Sequence, residues 1–298
     1  MAILLLGKDG QVGWQLQRAL APIGQVLACG RAECDLGDPL AIRALIRRVQ
    51  PSVIVNASAY TAVDKAESEP ELAARINTDT PGILAEEAKI LDALLVHYST
   101  DYVYDGKKDS PYVETDAVAP QSVYGQSKLA GEAAIRAVGG KSLIFRTSWV
   151  FGEHGANFVK TILRLAGTKD DLGVVADQFG NPTPAALIAD VTANVLALLS
   201  CGQRLEKGEN RLYHLASSRA VSWCDFARSI VDLAATAGHE LRLQSGAIRA
   251  ITTAEYPTPA RRPGNSRLDC RQLEADFGLQ MPDWQPYLER MLVSSAGK

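Results

Sequence analysis

Ala2-Ile3-Leu4-Leu5-Leu6-Gly7-Lys8-Asp9-Gly10-Gln11-Val12-Gly13 decides how the rest of the chain reads. An apolar run that stops at a glycine has the pattern of a short strand buried on both faces. Val12, Leu16, Ala19 and Leu20 then recur at helical spacing. Between strand and helix the glycines fall as G-x-x-G-x-x-G. Strand, glycine loop and helix, in that order, can receive phosphate: glycine lets the backbone approach a pyrophosphate, and the unpaired N–H groups at the helix start meet its charge. Glycines also make ordinary strand–helix turns. The expectation of a dinucleotide site therefore rests on their place directly behind a clean strand.

Working outward, the alternation continues. Strands are predicted over 25–29, 53–57, 94–98 and 142–147. Between them, Asp35-Leu36-Gly37-Asp38-Pro39 opens a helix to about 49, and Thr61-Ala62-Val63-Asp64 can cap a short one. A longer helical pattern covers 71–89, where Pro81 kinks or restarts it. Another helix follows Tyr124. Strands alternating with helices make a doubly wound, Rossmann-type parallel α/β sheet. Past residue 152 the alternation loosens into helices over 158–165, 185–199 and 222–235, the last capped by Ser222, and a strand over 212–216. The expected division is an NADP(H)-binding Rossmann domain over 1–148, with part of 183–216 returning to it. A smaller C-terminal α/β domain over 149–298 would mainly bind substrate.

Ser99-Thr100-Asp101 follows the fourth predicted strand, and Tyr124-Gly125-Gln126-Ser127-Lys128 opens the next helix. Residues four apart on a helix share a face. An ammonium beside a phenol favours phenolate and lowers a pKa that is otherwise about 10. That makes a tyrosine a usable general acid near neutral pH. An isolated Tyr-x-x-x-Lys is usually a surface pair; here a hydroxyl residue behind a buried strand and an upstream phosphate loop favour catalysis. The loop over 105–122 is longer than a connection needs and can wall or cover the site. At the second strand's tip stand Gly30 and Arg31, with Glu33 two residues on. An acid there would hold a ribose 2′-hydroxyl and an arginine a 2′-phosphate, so the balance tilts to NADPH, with NADH possible. The tail Tyr256-Pro257-Thr258-Pro259-Ala260-Arg261-Arg262-Pro263-Gly264-Asn265-Ser266-Arg267-Leu268 is too rich in Pro and Gly for regular helix, and its arginines suggest a local anion site.

The net charge of −3 over 298 residues gives no basic field for nucleic acid or membrane. Cys29, Cys34, Cys201, Cys224 and Cys270 lack the spacing of a zinc site or a disulfide framework, so reduced thiols in the cytoplasm are expected. The apolar run over 2–6 is too short, and lacks the basic leader, for a signal peptide. No apolar run is long enough to span a bilayer.

With these motifs in place, the chain resembles the extended short-chain dehydrogenase/reductase superfamily, and within it most closely the dTDP-4-dehydrorhamnose reductase family. The resemblance spans nearly the whole length. It is carried by Gly7 to Gly13, Asp35-Leu36, Thr61-Ala62-Val63-Asp64-Lys65-Ala66-Glu67, Ser99-Thr100-Asp101-Tyr102-Val103-Tyr104 and Tyr124 to Lys128. Arg146-Thr147-Ser148-Trp149-Val150-Phe151, the loop over 177–183 and Arg262-Pro263-Gly264-Asn265-Ser266-Arg267-Leu268 complete it. The resemblance implies reduction of dTDP-4-dehydro-L-rhamnose to dTDP-L-rhamnose, with hydride delivered to C4. Tyr124 would donate the proton, Lys128 would tune it and hold the nicotinamide ribose, and Thr100 would orient the sugar carbonyl. Gly7, Gly10, Gln11, Val12 and Gly13 would lie at the pyrophosphate, Gly30, Arg31, Asp35 and Leu36 at the adenosine end, and Ala59, Tyr60, Thr61 and Tyr98 along the cofactor. Thr100, Asp101, Trp149, Asn157, Arg262 and Asn265 would face the substrate.

Some relatives dimerise through acidic residues that bridge a metal such as magnesium. Gln15 and Ala186 stand where that pattern wants carboxylates, so no metal ligand set is read here and either a monomer or a homodimer is open. A 4,6-dehydratase or epimerase of the same superfamily is the enzymatic alternative. Dehydratases carry Thr-Asp-Glu where this chain has Thr100-Asp101-Tyr102. The non-enzymatic alternative, a regulatory subunit of the methionine adenosyltransferase type, fits poorly with an intact Thr100, Tyr124 and Lys128.

Overall fold

The first half of the chain alternates as its periodicities require. In this computed structural model, which describes residues 1–202 and 205–295, β1 (Ala2–Leu6) leads into α1 (Gln11–Leu20) and β2 (Gln25–Cys29) into α2 (Pro39–Val49). β3 (Val53–Asn56) is followed by short helices α3 (Val63–Ala66) and α4 (Pro70–Ala74), a π turn over Arg75–Asp79 and α5 (Thr80–Ile90). β4 (Leu94–Thr100), α6 (Val123–Val138) and β5 (Ser142–Thr147) complete the run. β4 runs two residues past its predicted end, so Thr100 is its last residue and Asp101–Val103 is a 3-10 turn.

Helix boundaries follow side-chain chemistry. α2 starts at Pro39 rather than at Asp35 because the Asp38 carboxylate accepts from the Leu40 and Ala41 N–H groups. Pro81 lies at the start of α5, where the missing N–H costs nothing, so it restarts the helix. The predicted side-chain cap of α3 is not made: Ala62 occupies the cap position, and Asp64 is engaged elsewhere.

The later elements are β6 (Val150–Phe151), α7 (Phe158–Ala166), β7 (Leu172–Val175), β8 (Phe179–Gly180), β9 (Thr183–Pro184), α8 (Ala185–Ser200), β10 (Asn210–His214), β11 (Val221–Ser222), α9 (Trp223–Thr236), β12 (Ile248–Ile251), β13 (Asn265–Ser266), α10 (Arg271–Phe277) and α11 (Gln285–Ser295). Six strands form one parallel sheet in the order β10-β5-β4-β3-β1-β2. One face is covered by α1, α8 and α10 through Leu16, Leu20, Ile188, Val195, Leu273 and Phe277. The other is covered by α2, α5 and α6 through Ile42, Ile46, Leu84, Ala88 and Ile135. This is a doubly wound sheet. The strand order reverses between β1 and β3, which opens a crevice at the strands' carboxyl ends.

A second core gathers Phe151, Val159, Ile162, Phe226, Ile230, Trp284 and Leu288 between α7, α9 and α11. The 149–298 half takes in residues 203–204 and 296–298, which lie outside the described residues. No helix among the described residues is long and apolar enough to cross a membrane.

Candidate active site

The phosphate loop is built by close approach. Gly7 has φ +85, and a Cβ on Gly13 would sit 1.9 Å from the Gly7 carbonyl oxygen, so a side chain at either position would push the loop off α1. Gly10 caps α1 with no side chain, which leaves the first N–H groups of the helix free to meet an anion. Gln11 is held from the other half of the chain: its Oε1 accepts from Asn157 Nδ2 at 3.0 Å.

The tip of β2 differs from the sequence expectation. A Cβ on Gly30 would fall 1.9 Å from Asp9 Oδ2, so Asp9 rather than an open space lies beside this glycine. Glu33 turns back to accept from the Gly30 N–H at 2.8 Å and forms an ion pair with Lys8. Arg31 is exposed beside them. Asp35 accepts from the Gly37 N–H, and the Leu36 carbonyl accepts from Thr80 Oγ1 at 2.6 Å, which pins this edge of the crevice.

Ala59, Tyr60 and Thr61 lie past the end of β3. Asn77, buried in the π turn, clamps them: its Oδ1 accepts from the Tyr60 N–H at 2.8 Å and its Nδ2 donates to the Tyr60 carbonyl at 3.0 Å. The same amide reaches Ser127 on α6 at 3.1 Å. A π turn of this kind re-aims one side chain inside a helical run. The sequence offered no signal for Asn77 beyond an asparagine in a helical pattern.

Thr100 and Tyr124 come together at the mouth of β4. Thr100 Oγ1 accepts from the Tyr102 N–H at 3.2 Å, and Tyr102 packs edge-on against the Tyr124 ring with centroids 5.5 Å apart. Burial pushes the Tyr124 phenol up, and the Thr100 contact only partly opposes it. This is the reverse of the expected lowering: burial dominates, and Lys128 is engaged by other partners. Its Nζ donates to the Tyr98 carbonyl at 2.6 Å and lies 3.2 Å from His97 Nε2. Burial also draws Lys128 down to about 8, with Glu132 one turn along acting against it. Tyr98 therefore meets the site through its carbonyl alone. Alternation along β4 turns its side chain to the opposite face, where its hydroxyl pairs with Thr192 Oγ1 at 2.7 Å.

Asp101 Oδ1 accepts from Thr100 Oγ1 at 3.1 Å, and burial raises its carboxyl to about 6. Among the described residues, Asp101 Oδ2 and Thr147 Oγ1 are buried with no hydrogen-bond partner, at the ends of neighbouring strands. Two unpartnered polar atoms at such a mouth fit a ligand that carries hydroxyl groups.

Trp149 has φ +48, a conformation a bulky residue adopts only under constraint. Its ring lies parallel to Trp223 with centroids 3.4 Å apart, and a Cβ on Gly180 would collide with it at 2.5 Å. Trp223, at the start of α9, had no signal in the sequence that joined it to this site.

The tail arginines do not form one anion site. Arg262 donates to Tyr102 Oη at 2.9 Å and to Asp64 Oδ2, which brings it next to Tyr124 through Tyr102. Arg261 reaches Gln121, and Arg267 bonds Asn265 Oδ1 and the Asp109 carbonyl. Asn265 spends its whole amide within the protein: Nδ2 donates to the Lys108 and Ser110 carbonyls and Oδ1 accepts from Arg267. It ties the 105–122 loop to the tail, so a direct substrate contact has no free group to use. Asn157 likewise caps α7 through Oδ1 and reaches Gln11 through Nδ2. No cluster of three or more His, Cys, Asp or Glu that could hold a metal ion forms among the described residues.

A family model described as RmlD substrate binding domain matches residues 1–296. The chain is 48% identical over 301 residues to dTDP-4-dehydrorhamnose reductase from Escherichia coli (strain K12), an alignment covering 98% of this chain and 97% of that one. Among solved structures, dTDP-4-dehydrorhamnose reductase from Bacillus anthracis, in complex with NADP, is 32% identical with a TM-score of 0.86, covering 98% of this chain and 99% of that one. The dTDP-glucose 4,6-dehydratase of Streptomyces venezuelae, 19% identical with a TM-score of 0.79 over 98% of this chain and 96% of its own, shares the fold.

Proposed function

The chain belongs to the RmlD substrate binding domain family, and on that footing we propose that it reduces dTDP-4-dehydro-L-rhamnose to dTDP-L-rhamnose with NADPH. The observation that carries this reading is Tyr124 at the mouth of β4, its ring edge-on against Tyr102 and Thr100 joined to the same turn through the Tyr102 N–H, with Lys128 one helical turn on and held by the Tyr98 carbonyl. Residues 1–148, with α8 and β10 returning to their sheet, would hold the cofactor, and 149–298 would mainly hold the dTDP-sugar. The nicotinamide, when bound, supplies the hydride for C4.

Tyr124 then donates its proton to the oxygen on C4 as negative charge develops there. A phenol kept protonated by burial is the right form of the acid for a reduction. Thr100 orients the carbonyl through its hydroxyl, Lys128 holds the ribose side, and the stacked pair of Trp149 and Trp223 forms an apolar wall that excludes water from one flank. The test is NADPH oxidation by the purified chain. Consumption should depend on dTDP-4-dehydro-L-rhamnose, and a protein that binds NADPH but leaves it unoxidised would sink the reading.

Arg262 is the cation best placed to meet the sugar diphosphate. Asp64 holds it, and Asp64 is exposed enough to be resolvated if the diphosphate takes its place. Arg262→Ala should raise KM for the dTDP-sugar about tenfold or more, the scale of one charge-assisted bond, with NADPH affinity unchanged. A fall in cofactor affinity instead would mean that the tail meets the other ligand.

Cofactor choice turns on the β2 tip. Glu33 is neutralised by Lys8 and the Gly30 N–H, so it is poorly placed to repel a 2′-phosphate, and the exposed Arg31 can meet one. The expectation is a preference for NADPH with NADH usable, narrowing in Arg31→Ala. Comparing kcat/KM for both cofactors decides it. Equal values in the unaltered chain, or a preference for NADH, would hand control to Glu33 or Asp9.

A further inference from the structure

Beneath the Tyr124 helix runs a buried polar chain that the proposed reaction does not use. Asn56, at the end of β3, and His97, in β4, are 1% and 0% exposed and are register partners in the parallel ladder. Asn56 Nδ2 lies 3.1 Å from His97 Nδ1, and His97 Nε2 lies 3.2 Å from Lys128 Nζ.

The protons along this chain can be counted. The Ser58 N–H meets Asn56 Oδ1 at 3.2 Å, so the oxygen end of the amide is taken and its NH2 end faces the imidazole. An NH2 group can only donate, so His97 Nδ1 must accept. A neutral imidazole then carries its one proton on Nε2, aimed at Lys128. An ammonium offers N–H groups and no acceptor, so a charged Lys128 would set donor against donor; an uncharged amine has a lone pair and accepts. Reversing the amide repairs the lysine contact only by setting its NH2 against the Ser58 N–H. Burial biases the chain the same way, since it holds His97 well below the usual imidazole value, with the Lys128 charge adding to it. Of the other charged groups near the amine, Glu132 on α6 favours its proton, but Glu132 is itself paired with Arg146 of β5.

We infer that His97 is a positioning residue for Lys128: locked by Asn56 as the Nε2–H tautomer, it donates to the lysine nitrogen and loosens that lysine's hold on its proton in the ligand-free protein. The inference rests on the reading of Lys128 as the site lysine, but its first test does not. Long-range proton–nitrogen NMR of the histidine rings in the ligand-free protein reads the tautomer directly. His97 can be assigned by the signals lost in His97→Gln, or by elimination with His154→Gln, His214→Gln and His239→Gln. The expected result is an Nε2–H tautomer that does not titrate between pH 6 and 9. An Nδ1–H tautomer, or an imidazole that titrates in that range, overturns the inference.

The second test is NADPH affinity against pH. In His97→Gln the new amide can turn its oxygen to the ammonium, so the pH at which affinity falls should rise by about one unit, seen as about tenfold tighter binding on the alkaline side. An unchanged profile in a folded variant also overturns it. If NADPH does not bind at all, the functional reading fails while the tautomer result still stands.

Discussion

Tyr124→Phe is expected to lower kcat with dTDP-4-dehydro-L-rhamnose by about 10²- to 10⁴-fold, the usual contribution of a positioned general acid. The ring fills the same space against Tyr102, so cofactor affinity should stay close to that of the unaltered chain. What is lost is the one transferable proton. Single-turnover kinetics beside an NADPH titration separates the two effects. Near-normal kcat would show that the proton comes from elsewhere, with Asp101 the first group to suspect, because burial raises its carboxyl to about 6 within reach of Thr100.

The largest stability effect is expected from Arg146→Leu. Arg146 lies on β5 and grips Glu132 of α6 with two bonds, Nε to Oε1 at 2.9 Å and Nη2 to Oε2 at 2.7 Å, with both side chains out of solvent. Its remaining arm donates to Tyr104 Oη at 2.7 Å, and that hydroxyl meets His214 Nε2 at 2.7 Å. Ser99, one residue before Thr100, bonds Glu132 as well. The network thus binds α6, β4, β5 and β10 behind the site. Removing the arginine leaves a buried carboxylate with Arg136 and Ser99 as its hydrogen-bond partners among the described residues, and should cost about 3–5 kcal/mol in urea unfolding. Adding Glu132→Gln should recover part of that, since the stranded charge goes with it.

The pH dependence has a definite sign. Arg146 contacts hold the Glu132 carboxyl below its usual value against the opposing effect of burial. A carboxylate with a depressed folded pKa stabilises the fold above its unfolded pKa, about 4.3, and that contribution disappears as pH falls through the folded value. The unaltered chain should therefore lose stability in acid more steeply than the double variant.

The Rossmann sheet was legible because its signals are local: a strand before Gly7, helical spacing from Val12 to Leu20, and apolar strands alternating with helices through residue 147. Thr100, Tyr124 and Lys128 were legible as a hydroxyl behind a strand and a pair one helical turn apart. The residues that complete the site were not. Asn77 reaches Tyr60 across 17 positions and Arg262 reaches Asp64 across 198, and no spacing rule spans such gaps. Charge patterning showed three tail arginines but not that Asn265, Gln121 and Asp64 had claimed them. The pKa of Tyr124 went against expectation for the same kind of reason: the sequence set Lys128 one turn away but revealed neither the burial that raises the phenol nor that the Tyr98 carbonyl and His97 would engage the lysine nitrogen.

The central claim is hydride delivery to C4 of a dTDP-4-keto sugar, and isotope transfer tests it most directly. NADPH deuterated at C4 of the nicotinamide is incubated with dTDP-4-dehydro-L-rhamnose and the chain, and the product is read by proton NMR. The expected product is dTDP-L-rhamnose with deuterium from the cofactor at C4 of the sugar and nowhere else, and with no label at C4 when the reaction is run with ordinary NADPH in deuterated water. Deuterium at another carbon, or a product labelled at C4 only from the solvent, would contradict it.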